Sequence, residues 1–390
     1  MKSRKLSRTR RRATILTAAA ASVVAGAALL PNWSAGASTT AEPEVDARTK
    51  ATFQRLADAV FTDRTNALVD KPGKGKKPLI DGFSGKVAVS SGAARTEDSA
   101  LEQLGDRKDG LARLGEKYSA ASTSVTLDRT SVRGRKAVVA VTETTTLTYK
   151  KVRGDEPRTT GFQAHHKLTF KADKHGNWRL TDIRETDDGY LAVNQTAKPK
   201  AAATTVDNTM PSAPRAAITR PAPSNRKNFT ASGYDYKAMA AYAEKYWRNY
   251  NPEYPDFNGH GAGGDCTNFV SQALKAGGWK HVPGYVYDYT RWFGNADIQS
   301  HSFVGVNEWS WFSLNSKRVT SLANVYQMDV GDVLQIDFDR DGSKDHTMIV
   351  TYRSPQGVPY LTYHSTNTYR RSVASIIASY PNAAYYAYRT

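Results

Sequence analysis

One stretch constrains this chain more than any other: Gly261-Ala262-Gly263-Gly264-Asp265-Cys266-Thr267-Asn268-Phe269-Val270-Ser271-Gln272. It holds the only cysteine among 390 residues, directly after a glycine-rich turn. Phe269, Val270, Ala273 and Leu274 follow at helical spacing, and Gly277-Gly278 supplies the stop. The pattern puts Cys266 in the first turn of a short buried helix, where free backbone N–H groups favour a thiolate. Asp265, at the N-cap position, acts in the opposite sense, so a second cation is expected nearby. The alternative is a small packed thiol, the usual state of a free cysteine. An unpaired cysteine behind a glycine turn in an exported chain argues for the reactive one.

Export is read from residues 1–37. Seven Lys or Arg and no acid precede the apolar run Ala13 to Leu30, and Ala35-Gly36-Ala37 offers a cleavage site. A signal peptide and a secreted, cell-wall-associated protein are expected, with no membrane attachment once the signal is removed. With one cysteine no internal disulfide can form, so ordinary cores must stabilise the chain.

The formal charge of +17 is unevenly spread. The signal region carries +7 and residues 196–230 carry +5, whereas residues 231–390 hold 14 bases and 14 acids. The neutral C-terminal part and the export signal disfavour nucleic acid as a partner. The basic excess elsewhere suits electrostatic attraction to anionic wall polymers.

Length predicts two domains, and the order of helical and strand patterns reads as α+β. In 44–195, helical spacing runs from Ala47 to Val69 and again over 97–117. Strand patterns follow at 122–132, 135–149, 160–172 and 177–184. The order of these elements is similar to cystatin-like or nuclear-transport-factor-like folds. His165-His166 must face opposite sides of a strand and cannot share a metal. Residues 196–230, rich in Pro, Ala and Thr, read as an extended linker.

In 231–390, Tyr236 to Asn249 is an amphipathic helix whose apolar stripe packs beneath the Cys266 helix. The aromatic stretch from Trp279 to Trp311 is read mainly as core. Gly331-Asp332 leads into a strand, Val333 to Phe338, and then an acidic loop. Asp337, Asp339, Asp341 and Asp345 there match the start of a calcium loop, but Met348 stands where the bidentate Glu belongs. A structural calcium is therefore an expectation, set against an ordinary solvated turn; no cofactor is required. His346 opens the next strand, and a turn at Pro355-Gln356 brings it level with residues 364–366. Parity puts His364 on the face of His346 if their register is even, with Asn367 entering only past a bulge. Cys266 as nucleophile, His346 as base and a polar orienting residue, His364 or Asn367, form a Cys-His constellation.

Gly264-Asp265-Cys266-Thr267-Asn268-Phe269-Val270-Ser271-Gln272, Gly331-Asp332-Val333-Leu334-Gln335, Asp345-His346 and Tyr363-His364-Ser365-Thr366-Asn367 together resemble the "putative amidase domain" of secreted Gram-positive proteins, over about 232–390. That family is similar to CHAP and papain-like cysteine amidohydrolases. The resemblance implies a helical half carrying Cys266 against an antiparallel sheet carrying His346, and amide-bond hydrolysis through an acyl-enzyme. A peptide or peptidoglycan substrate is expected. The rivals are an acyl transferase of the same fold and a catalytically silent wall-binding module.

Overall fold

The computed structural model describes residues 45–70, 87–187, 190–196, 210–258 and 264–390. The expected signal peptide, residues 197–209 of the expected linker and Gly261–Gly263 lie outside them. Among the described residues no helix is long and apolar enough to cross a membrane.

The described residues open with α1 (Ala47–Asn66), started by Asp46, whose carboxylate accepts the Thr49 N–H. A short β1 (Val87–Val89) leads to α2 (Ser91–Arg113), capped by Ser90. Four strands follow: β2 (Tyr118–Arg133), β3 (Lys136–Tyr149), β4 (Thr159–Ala172) and β5 (Trp178–Glu185). Their alternate residues are buried because α1 covers one face only. Phe53, Leu56, Val60 and Phe61 of α1 pack there on Val139, Val141, Leu168, Phe170 and Leu180.

The later elements are α3 (Tyr236–Tyr246), α4 (Cys266–Ala276), α5 (His301–Val304), α6 (Val306–Asn315), β6 (Thr320–Leu322), β7 (Val333–Asp337), β8 (His346–Arg353), β9 (Pro359–Tyr363), β10 (Asn367–Ser372), α7 (Val373–Ser379) and β11 (Ala384–Arg389). The strands stand in the order β10-β9-β8-β7-β11-β6, antiparallel throughout. α3, α4 and the buried Trp279, Trp292 and Trp309 cover one face, and Leu334, Met348 and Val350 with α7 fill the other. The mixed α+β class follows.

The regions 44–195 and 231–390 share one sheet. Asn367–Tyr369 of β10 pair with Gly161–Gln163 of β4, along the stretch of β4 that β5 leaves unpaired. A core of Leu111, Tyr118, Leu147, Tyr149, Phe162 and Tyr360 sits across this junction. Residues 210–230 of the expected linker are ordered along the sheet rather than loose. The Ala216 N–H donates to the Tyr385 carbonyl at 2.7 Å, and buried Lys227 pairs with Asp332 at 2.6 Å. Backbone bonds and an ion pair thus supply what this apolar-poor segment lacks in buried area.

Candidate active site

Gly264 enters α4 at φ +93°, a backbone state that disfavours any side chain. Every residue from Cys266 to Leu274 is then buried. Asp265 occupies the N-cap position but makes no capping bond. Its carboxylate instead accepts from the Phe257 N–H (3.2 Å) and from Asn268 Nδ2 (2.8 Å), and meets His364 Nδ1 at 2.7 Å. The other His364 nitrogen lies 2.9 Å from the Tyr246 carbonyl. The ring is held between Tyr250 and Phe269, with centroids 3.8 and 3.9 Å away. Both ring nitrogens thus meet oxygen partners, which fixes the plane and the orientation of the imidazole. His364 is the buried partner of Asp265, and the pair braces the start of α4 against the end of β9.

The Cys266 thiol is enclosed, with 1% of the residue exposed. Burial pushes it up to about 11, against the opposing pull of hydrogen bonds from the Thr347 backbone and from Thr267. Thr267 Oγ1 also meets Thr347 Oγ1 at 2.9 Å, and Gln335 Nε2 donates to that Thr347 hydroxyl at 3.2 Å. In this state Cys266 is a neutral thiol resting on a polar column at the head of β8.

His346 begins β8, one residue from that column. Ile349 packs with α4, whereas Met348 and Val350 pack on the opposite face with α7. Alternation sends His346 with Met348, away from α4. Its ring lies parallel on Tyr190 at 4.7 Å and meets the edge of Tyr363. Among the described residues its Nε2 has no hydrogen-bond partner. Burial pushes the imidazole down to about 3, so it is neutral. The structure thus places Cys266 and His346 at one end of the sheet, linked through Thr347. They stand on opposite faces, and among the described residues no hydrogen bond joins them.

The expectation that His364 shares the face of His346 is corrected. Near the turn, Tyr352 pairs with Tyr360, the register that would have aligned them. A bulge between Val350 and Tyr352 then slips the ladder by one, so Ile349 pairs with Thr362. Continued, that register sets Thr347 opposite His364, and a slip of one residue reverses the face. Asn367 joins the His364 side: its Oδ1 accepts from the Tyr250 hydroxyl at 2.6 Å.

In the acidic loop, Asp337, Asp339 and Asp345 each offer an oxygen within 4.8 Å of the others. Asp341 stands apart, accepting from the Ser343 N–H at 2.7 Å. Asp337 takes the N–H groups of Arg340 and Gly342, and Asp345 that of Phe338. Burial raises the Asp337 carboxyl. The loop is thus closed on its own backbone, and three of the four expected aspartates converge.

His165 and His166 diverge as expected: the first meets Asp187, and the second is buried against Glu143 and Phe61. Two residues were not foreseen. Tyr190 belongs to the N-terminal region, and no local pattern marks it. Gln335 was detectable, as a lone amide in the apolar strand Val333–Ile336.

Residues 233–388 match the model of the family described as "Putative amidase domain". Uncharacterized protein YhbB of Bacillus subtilis (strain 168) is 32% identical over 142 residues, covering 35% of this chain and 44% of the relative. Uncharacterized protein YjcM of the same organism is 31% identical over 155 residues, covering 37% and 34%. The chain therefore spans less than half the length of these curated relatives. A crystal structure of the intermembrane space region of chloroplast protein ARC6 aligns with 37% of this chain and 98% of its own, at 18% identity and a TM-score of 0.23. That score carries no argument. The family match covers the Cys266 helix and the β7–β11 sheet and supports an amidase-type domain.

Proposed function

We propose that this protein is an exported cysteine amidohydrolase, with a papain-like arrangement of α4 against the sheet, acting on amide bonds of cell-wall peptides. The observation that carries the reading is the position of Cys266: the sole thiol, at the first turn of α4, within a matched amidase domain. Cys266 Sγ would attack the carbonyl carbon, with the N–H groups at the helix start holding the oxyanion. Once the site opens and hydration restores the basicity of His346, the thiol proton would pass to its imidazole and then to the departing amine. The C–N bond breaks, a thioester remains, and water releases the acid. His364 and Asp265 would keep the nucleophile helix in place rather than orient His346. Because the thiol is enclosed and His346 faces away, attack requires local opening at the head of β8.

A second reading has its own support. A buried neutral thiol is also what a silent wall-binding module would carry. Digestion of purified cell wall, with the new termini identified by mass spectrometry, separates the two. New free amines without new reducing ends support the amidase, and no new termini support the module.

A further inference from the structure

The face of the N-terminal sheet turned away from α1 carries an ordered array of cations. Register places Arg133 of β2 opposite Lys136 of β3, Lys136 opposite Lys171 of β4, and Lys171 opposite Arg179 of β5. One row across four strands is entirely basic. Four residues along, Arg129, Ala140, Lys167 and Arg184 form a second row. Between them lies the row Ser131, Val138, Thr169 and Asp182, whose aspartate is the one carboxylate in the three rows. All seven cations are exposed. Among the described residues, Lys136, Lys167, Lys171, Arg129, Arg179 and Arg184 enter no salt bridge.

Like charges directly opposite one another on neighbouring strands are unfavourable. Here three such contacts follow in succession, where alternating signs would have served a merely solvated face. The repulsion is relieved when a polyanion lies across the rows. Strand spacing sets the cations about 5 Å apart along a row, and the two rows stand about 13 Å apart. Arg129, Ser131, Arg133, Lys136, Val138, Ala140 and Lys167 line a groove of about 410 Å³ between them.

We infer that this face binds a flexible polyol-phosphate chain of the cell envelope. Arginines occupy the four corners, where their planar forks suit phosphate oxygens, and lysines fill the interior as point charges. Nucleic acid is the poorer fit because single strands are held by aromatic stacking. Among the described residues the three rows carry no aromatic side chain, since Phe170 and Trp178 turn inward onto Phe53. A membrane surface fits less well, for no large apolar group projects from these rows. The inference concerns the N-terminal sheet and does not rest on hydrolysis at Cys266.

The test uses the full chain and purified poly(glycerol phosphate), with affinity measured by calorimetry from 50 to 200 mM salt. The double substitution Lys136→Gln with Lys171→Gln should weaken binding at least tenfold. It should also reduce the dependence of log K on log salt by about 1.5, the loss of two ion contacts. Its melting temperature should stay level or rise, because repulsion is removed. Arg95→Gln with Lys280→Gln, an equal charge change elsewhere on the exposed surface, should leave binding intact. Equal losses in both double variants, no binding by the unaltered chain, or tighter binding of a DNA strand of matched charge or of anionic vesicles would overturn the assignment.

Discussion

Replacing His364 by alanine should destabilise the fold strongly. Asp265 and His364 are 1% and 2% exposed and meet at 2.7 Å, so solvent screens little of their interaction. Removing the imidazole leaves a buried carboxyl group that keeps two donors, Phe257 N–H and Asn268 Nδ2, but loses its shortest contact. Breaking a buried pair in this way costs about 3–5 kcal/mol, and the two retained donors favour the lower end. Loss of the ring contacts with Tyr250 and Phe269 adds about 1 kcal/mol, for a total of about 4 kcal/mol. Urea unfolding of His364→Ala, Asp265→Asn and the double variant gives the decisive quantity. Coupling between the two sites should reach about 2 kcal/mol, since each substitution removes the partner of the other. Coupling within the usual additivity error of about 0.5 kcal/mol would refute the brace. His364 would then return to the role of an orienting residue.

Three further outcomes follow from the geometry. His346 is pushed down to about 3 from an unfolded value near 6.5, so the stability it contributes is complete above 6.5 and falls as pH drops towards 3. About 2 kcal/mol should be lost between pH 6.5 and 4.5, and His346→Gln should flatten this acid limb in urea titrations; an unchanged limb contradicts the burial argument. Glu116 has the opposite sign: burial raises it to about 7, so its stabilising contribution is full below about 4.5 and is lost as pH rises through 7. Glu116→Gln should therefore stabilise the protein at pH 8 by roughly 3 kcal/mol relative to its effect at pH 4, and equal effects at both would contradict this. Finally, Asp337, Asp339 and Asp345 should raise the melting temperature slightly in calcium by binding the native state, whereas coincident curves in calcium and chelator return the loop to a self-capped turn.

Much of the local structure was legible because its signals are local. Glycines, periodic apolar residues and turn chemistry located α4, the β8–β9 hairpin and the four N-terminal strands. The side of the sheet taken by His364 was not legible, because it depends on one bulge between Val350 and Tyr352 that no residue there announces. The partner of Asp265 was not identifiable, since His364 lies 99 residues away and arrives through β-pairing. Contacts between the N-terminal and C-terminal regions were the least visible. Tyr190 against His346 and β4 against β10 depend on complementary surfaces of distant segments, and each segment reads separately as ordinary strand or loop.

The central claim is that Cys266 and His346 act as one catalytic unit on an amide bond. Its most direct test is the rate of amine release from purified cell wall by the unaltered protein and by Cys266→Ser, His346→Ala and their combination, each confirmed as folded by its unfolding curve. Residues that act as a unit are not additive, so each single variant should lose about as much activity as the double. Undiminished amine release by the Cys266→Ser protein would contradict the account and leave Cys266 a packed thiol.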